Sequence, residues 1–435
     1  MNNDLYRAFW RWHFYAGLIA LPFLVWLAVT GGLYLFKPEV ERAVYGSWIT
    51  LSSDRSPVPA STLIARVQDE TGGKVAQVER PASARESWRM RYLVAARSRT
   101  AFVDPADGKV LGTTTDGGIA KTIRDLHSLA ITGKLGNVVI EVAAGWAIIL
   151  MVTGVVLWWP RQGQPAFALR PPTRSRRFWR DLHASTGALA GLIVLFLATT
   201  GMPWSVFWGA NVQKMLTANG LGRPSAPVST HGEHQATAPT GALRESLPWS
   251  LQAAPMPHAH GVGDVGVDRV VAIASQRGLA APYTITLPAS ADKPYTVSKV
   301  ARAAEEAHTI FIDPASGTVL KENKFGDFGA GSRVIEWGVS THQGLEYAPI
   351  NRWVMLAGCI GILLLAASAP VLWWKRRDAG RLVRPPRPRD NRRIKVGTAV
   401  AAVLGVIYPL TGLTVLAVLL FDIALQRRKT SAATT

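Results

Sequence analysis

Four histidines, His13, His127, His183 and His342, stand at the ends of long apolar runs and fall into register when the chain is aligned with itself. The stretch Phe9-Trp10-Arg11-Trp12-His13 is echoed by Phe178-Trp179-Arg180-Asp181-Leu182-His183. Each of these histidines is followed by Gly four residues on (Gly17, Gly187) and by Thr-Gly at seventeen and eighteen (Thr30-Gly31, Thr200-Gly201). His127 precedes Trp158-Trp159 by thirty-one and thirty-two residues, and His342 precedes Trp373-Trp374 by the same counts. Imidazole is a common metal ligand and proton carrier, so placement repeated in this way predicts two symmetric binding sites.

The elements that must position these rings are apolar runs long enough to cross a ~30 Å hydrocarbon core. Five spans are predicted, at 1–36, 138–159, 182–209, 351–374 and 396–424, while a mean hydropathy of only +0.14 leaves about half the chain outside the bilayer. The first span exceeds a signal-peptide core and is followed by no small-x-small cleavage site, so it reads as an uncleaved anchor. The net charge of +19 is concentrated in two short connections. The loop 160–181 carries six Arg against one Asp, and 375–395 carries ten Lys or Arg against two Asp. These are predicted cytoplasmic loops under the positive-inside rule, and without interleaved stacking aromatics they give no sign of nucleic-acid binding. The N-terminus is then inside and the inserts 37–137 and 210–350 are periplasmic. Span 396–424 is expected to run outward to a tail at 425–435, with Tyr408-Pro409 offering a kinked or re-entrant alternative. The single cysteine, Cys359, excludes an intrachain disulfide and a cysteine metal cluster.

The inserts repeat as well. Phe102-Val103-Asp104-Pro105-Ala106-Asp107-Gly108 corresponds to Phe311-Ile312-Asp313-Pro314-Ala315-Ser316-Gly317, a tight hairpin turn between alternating apolar runs. Strands are predicted at 75–80, 88–95 and 99–104 and again at 282–288, 294–299 and 308–313, with an amphipathic helix opening each copy at 60–71 and 266–278. Each insert is expected to form a small α+β domain of its own. This order of span, insert, span, twice over, with Phe-x-Asp-Pro-x-x-Gly hairpins and Trp-Trp exits, resembles the PepSY-associated transmembrane family across nearly the whole chain. The resemblance implies a polytopic α-helical protein of the bacterial inner membrane with two PepSY-like inserts. Some members of that family are haem-containing reductases that release iron from siderophores.

Helix geometry constrains the pairing of the histidines. From His13 to Thr30 is seventeen residues, about 25 Å of helix, so His13 cannot share a ligand with His127 of its own repeat. It can meet His183, and His127 can meet His342. Zinc or copper would want three or four protein ligands, and the nearest carboxylates are Asp181 and Glu346. Two opposed imidazoles among glycines (Gly17, Gly31, Gly32, Gly187, Gly191, Gly201) match the axial positions of a b-type haem, and no Cys-x-x-Cys-His exists for covalent attachment. Two haem b groups, with His13, His183, His127 and His342 as iron ligands, are therefore expected. Arg11, Arg124, Arg180 and Arg333 are candidates for propionate or lipid headgroup contacts. His231, His234, His258 and His260 read as a solvated loop, with metal binding the alternative, and His308 reads as a sheet residue.

With no dinucleotide fingerprint in the chain, electrons would come from a separate donor, quinol or a flavoprotein. By the family resemblance, the acceptor would be a ferric siderophore. The alternatives are a haem-free envelope binding or regulatory protein and a di-haem conduit to a periplasmic redox partner.

Overall fold

The computed structural model describes residues 3–52, 54–159, 166–224, 239, 241–259, 261–377, 385 and 392–431. In chain order the helices are α1 (Asn3–Leu35), α2 (Lys37–Ile49), α3 (Ala60–Thr71), α4 (Gly118–His127), α5 (Lys134–Trp158), α6 (Arg176–Gly201) and α7 (Trp208–Ala218). They continue as α8 (Gly241–Ser246), α9 (Val267–Gln276), α10 (Ala330–His342), α11 (Ile350–Trp374), α12 (Arg392–Ile407) and α13 (Pro409–Ser431). Among the described residues four helices are long and apolar enough to cross a membrane: α1, α5, α6 with its 3-10 extension to Trp204, and α11. The chain is a membrane protein with a bilayer as its setting.

These four helices close a ring, α1 on α5, α5 on α6, α6 on α11 and α11 on α1. Small residues line the contacts: Ala16, Ala20 and Ala28 of α1, Ala143 and Ala147 of α5, and Ala190 of α6 are all buried. In lipid there is little hydrophobic drive between helices, so close van der Waals approach of small residues does the work. A Cβ on Gly361 would lie 2.5 Å from that of Ala190, and one on Gly358 would lie 2.6 Å from Ile193. The α6–α11 contact is therefore set by glycine. Leu18, Leu189 and Leu192 face outward and are exposed, as lipid-facing positions should be. The Ser175 hydroxyl accepts from the Phe178 N–H at 3.1 Å, capping α6 where the basic loop ends.

The fifth predicted span is corrected. Residues 392–431 form two shorter helices that pack on each other as a hairpin, turning at Tyr408. Pro409 lacks an N–H and crowds the preceding turn, which ends α12 and starts α13, with proline at the favoured first position. A side chain on Gly412 would collide with Gly405, so the arms meet at glycine. The hairpin rests on α1 and α5, where Trp146 Nε1 donates to Thr414 at 3.0 Å. Its tip lies beside Trp208, whose Nε1 donates to the Ile407 carbonyl at 2.8 Å. The turn sends α13 back toward the side from which α12 came, where the outward span was expected to end on the opposite side.

Outside the bundle the two inserts differ from expectation in the opposite sense, since they merge. Strands β1 (Lys74–Arg80), β2 (Trp88–Val94), β3 (Arg97–Val103) and β4 (Val110–Thr115) form one antiparallel meander. Strands β5 (Tyr283–Thr286), β6 (Tyr295–Lys299), β7 (His308–Ile312) and β8 (Val319–Lys324) form another. β1 pairs with β5, giving a single eight-stranded sheet in the order β4-β3-β2-β1-β5-β6-β7-β8. Joining the two inner edges satisfies backbone groups that each four-stranded sheet would leave open. It also pools two thin apolar faces into one core of Leu63, Val67, Val75, Val78, Met90, Val103, Val270, Ile285, Val297, Ile310 and Ile312. α3 and α9 cover that face, and the helix expected at 60–71 is α3.

Candidate functional site: two imidazole pairs

His13 lies near the start of α1 and His183 near the start of α6, and the ring packing of the bundle brings their centroids to 6.3 Å with planes crossed at 85°. Each ring is held from a neighbouring helix. His13 Nδ1 lies 3.1 Å from the hydroxyl of Thr153 on α5, and His183 Nδ1 lies 2.9 Å from that of Ser368 on α11. At the other end of the bundle His127 and His342, in the last turns of α4 and α10, stand 6.4 Å apart with planes at 72°. Their Nδ1 atoms meet the hydroxyls of Thr30 on α1 at 2.9 Å and Thr200 on α6 at 3.0 Å. The expected pairing, one imidazole from each half in each site, is the pairing found.

The hydroxyls reveal the tautomer. Thr153 donates to the Ile149 carbonyl at 2.6 Å, Thr30 to that of Trp26 at 2.7 Å and Thr200 to that of Phe196 at 2.7 Å. Ser368 donates to the Leu365 carbonyl at 3.1 Å. With its proton committed to the helix backbone, each hydroxyl can only accept from imidazole, so Nδ1 carries the hydrogen and Nε2 keeps a lone pair. The carbonyls of Leu150, Leu27, Leu365 and Leu197 reinforce the same choice. A ring fixed through Nδ1–H with Nε2 open is the arrangement of a metal-ligating histidine with its outer-shell partner.

Burial keeps the outer pair neutral, pushing His127 down to about 4. It pushes His342 to about 3, with the neighbouring His127 adding to the effect. Glycine permits the close seating of three rings. A Cβ at Gly31 would lie 3.0 Å from His127 Cε1, at Gly154 3.2 Å from His13 Cε1, and at Gly201 3.4 Å from His342 Cε1. A Cβ at Gly17 or Gly187, one turn beyond His13 and His183, would make only an ordinary contact with one leucine methyl, at 3.8 and 3.7 Å.

The spacing can be tested against a metal. Bonds of about 2 Å from a central ion to two ring nitrogens, each about 1.15 Å from its centroid, put the centroids about 6.3 Å apart. Both pairs meet that value. Among the described residues no group of three or more metal-ligating side chains exists, and the two nearby carboxylates are committed elsewhere. Asp181 is bound by Arg170 at 2.8 Å and Arg180 at 2.9 Å, and Glu346 accepts from the Ala304 N–H at 2.8 Å. Two imidazoles without further protein ligands among the described residues would suit an ion whose remaining positions a macrocycle fills.

Arg11 is buried, donating to Tyr15 at 2.6 Å and to the Pro385 carbonyl at 3.0 Å. Arg124 pairs with Glu245, and Arg333 is exposed. His308 bonds Glu322 at 2.8 Å on the sheet. His231, His234 and His260 lie outside the described residues, and His258 is half-buried. Trp204 packs against His342 with centroids 5.8 Å apart. Thr153 and Ser368 escaped sequence reasoning, although a signal existed. Thr153 follows His127, and Ser368 follows His342, by the same twenty-six residues.

A family model described as the PepSY-associated TM region matches residues 10–376. No curated protein matches the chain.

Proposed function

We propose, for a chain that belongs to the PepSY-associated transmembrane family, that the two imidazole pairs hold two b-type haems and that the protein carries electrons across the membrane. His13 with His183 would hold one group and His127 with His342 the other. Each bound haem supplies a one-electron Fe(III)/Fe(II) couple. The observation that carries the reading is the spacing of 6.3 and 6.4 Å between rings whose Nδ1 atoms are pinned and whose Nε2 atoms are open.

The chain's part is positional. Four hydroxyls orient the imidazoles, the apolar ring of helices excludes water, and seventeen residues of α1 separate His13 from Thr30, about 25 Å along the membrane normal. In this reading the basic connections lie in the cytoplasm of a bacterial cell, the protein sits in the inner membrane and the sheet faces the periplasm. The donor is a quinol or a soluble flavoprotein, and the acceptor is a ferric siderophore reduced so that its hard oxygen ligands release Fe(II). Protein purified from haem-replete cells should show a Soret band and sharp α and β bands after dithionite. A colourless preparation would sink the proposal and favour a haem-free envelope binding protein.

A further inference from the structure

The two basic connections meet at one end of the bundle, beside the seam of α6 and α11. Lys375, one residue past α11, donates to the Arg174 carbonyl at 2.7 Å. The next residue, Arg376, lies over the Trp10 ring of α1, 4.3 Å from its centroid. Burial pushes the Arg376 guanidinium below its ordinary value, and Arg176 at the start of α6 stands close enough to add to the effect. Arg377 lies 4.6 Å over Trp374, whose ring is 59 % exposed where the helix ends. Aromatic faces and a backbone carbonyl thus hold several cations near one another and partly out of water. Like charges placed so are screened less than on an open surface, and the arrangement gains from an anion. The single carboxylate of the first connection, Asp181, is already bound by Arg170 and Arg180.

The repeat is broken at the same place. Trp158 and Trp373 stand thirty-one residues after His127 and His342. Trp158 Nε1 donates to the Ala166 carbonyl at 2.8 Å. Trp373 Nε1 is buried with no hydrogen-bond partner among the described residues, while its ring packs on Phe14 with centroids 5.4 Å apart. Trp10 and Phe14 are one turn apart on α1, and Trp373 and Arg376 are three residues apart at the end of α11, so the four share one seam. An indole N–H can only donate, and a buried donor without an acceptor is rare enough to call for a partner. Trp373, Arg376, Arg176 and Lys375 all offer donors and no acceptor. A ligand that fits them brings oxygen acceptors and negative charge.

We infer that this end of α6 and α11 is a binding site for an anionic phospholipid, whose headgroup phosphate pairs with Arg176 and Arg376 and accepts from the Trp373 indole. The setting selects a lipid over a soluble phosphate. The site opens where two membrane-spanning helices end, and further along the same helices Leu189, Leu192 and Leu364 are exposed, as a surface along which acyl chains can lie. A basic pocket between spanning helices is a known way of holding such headgroups. The bound lipid ties the connection between the two halves of the repeat to the end of α11 and, through Trp10, to α1.

Native mass spectrometry of the full-length protein in detergent, given equal amounts of dioleoyl phosphatidylglycerol and dioleoyl phosphatidylcholine, reads the retained lipid directly. The native protein should retain phosphatidylglycerol in preference. Arg176→Gln and Arg376→Gln should each cut that preference by about fivefold, and the double variant should abolish it. Trp373→Phe keeps the ring against Phe14, deletes the donor and should lower phosphatidylglycerol retention by about fivefold as well. Circular dichroism reports that each variant is folded. Equal retention of the two lipids by the native protein, or a preference that survives in the double variant, overturns the inference. Displacement of the lipid by glycerol 3-phosphate, which carries the charge without the chains, overturns the choice of a lipid, and unchanged retention in Trp373→Phe overturns the part given to the indole. None of these readings depends on haem content, which the Soret band reports separately.

Discussion

The hydroxyl at Thr200 offers the sharpest test of how the chain orients its imidazoles. Thr200→Val keeps the shape and branching of the side chain in α6 but deletes the oxygen that accepts from His342 Nδ1 at 3.0 Å. The Leu197 carbonyl remains as a second acceptor, so the donor is not orphaned. The cost should therefore sit near the lower end for a buried hydrogen bond, about 1 kcal/mol, equivalent to about fivefold in retention of the bound group. A less polarised Nδ1–H also makes imidazole a poorer donor to iron, which favours Fe(II). Half to all of that energy corresponds to an upward shift of about 20–40 mV for one electron. Titration with a haem-scavenging apoprotein measures the first quantity and spectroelectrochemistry the second. Thr200→Ser should restore both. Unchanged retention and potential in Thr200→Val, or a serine variant that behaves like the valine one, would refute the argument that the hydroxyl fixes the ring.

Removing a ligand is coarser: His13→Ala should abolish one of the two haem signals and stop electron passage across liposomes, while the Soret contribution of the outer pair persists. The pH dependence follows from the outer histidines. Their folded values of about 4 and about 3 lie below an unfolded value near 6.5, so below pH 6.5 the unfolded chain binds protons that the folded chain does not. Stability present above pH 6.5 is lost as pH falls toward 4, by on the order of 4 kcal/mol at pH 5 for the two groups together. The melting temperature of haem-free protein should fall accordingly, and a flat profile from pH 7 to 5 would contradict the burial. The turn at Tyr408 predicts that the C-terminus lies on the same side of the membrane as the loop 375–395. A C-terminal fluorescent protein fusion should therefore glow in cells, and an alkaline phosphatase fusion should be inactive.

Much of this arrangement was legible in the sequence because the repeat displayed it twice. Helix rise alone forbade His13 from meeting His127, which left the cross-repeat pairs that the bundle forms. Strand alternation and the Asp-Pro-x-x-Gly turns located the meanders, since period and turn chemistry are local. The merging of β1 with β5 was not legible, because edge pairing depends on two inserts meeting in space and no local residue pattern announces it. The hairpin at Tyr408 was underread for a different reason. Hydropathy sums over 396–424 without regard to direction, and only the steric demand of Pro409 signalled a reversal. Thr153 and Ser368 were invisible to a search for charged or metal-binding side chains, because a hydroxyl inside an apolar helix usually satisfies itself on the backbone. Here it does so and still accepts from imidazole.

The β1–β5 seam has a consequence for how the protein is made. Tyr283 follows Arg80 by about 200 residues, so at ~5–20 residues per second β1 waits roughly 10–40 s after synthesis before its partner strand exists. During that interval the nascent chain must cross the bilayer twice more while an open strand edge stands outside the membrane-spanning helices. β1 carries the devices that discourage wrong pairing: an irregularity between Val75 and Gln77, and Lys74, Glu79 and Arg80 along its length. Biogenesis of the second half thus completes the first, and a ribosome that stalls between them would leave a membrane protein with an unsealed edge rather than half of a working one.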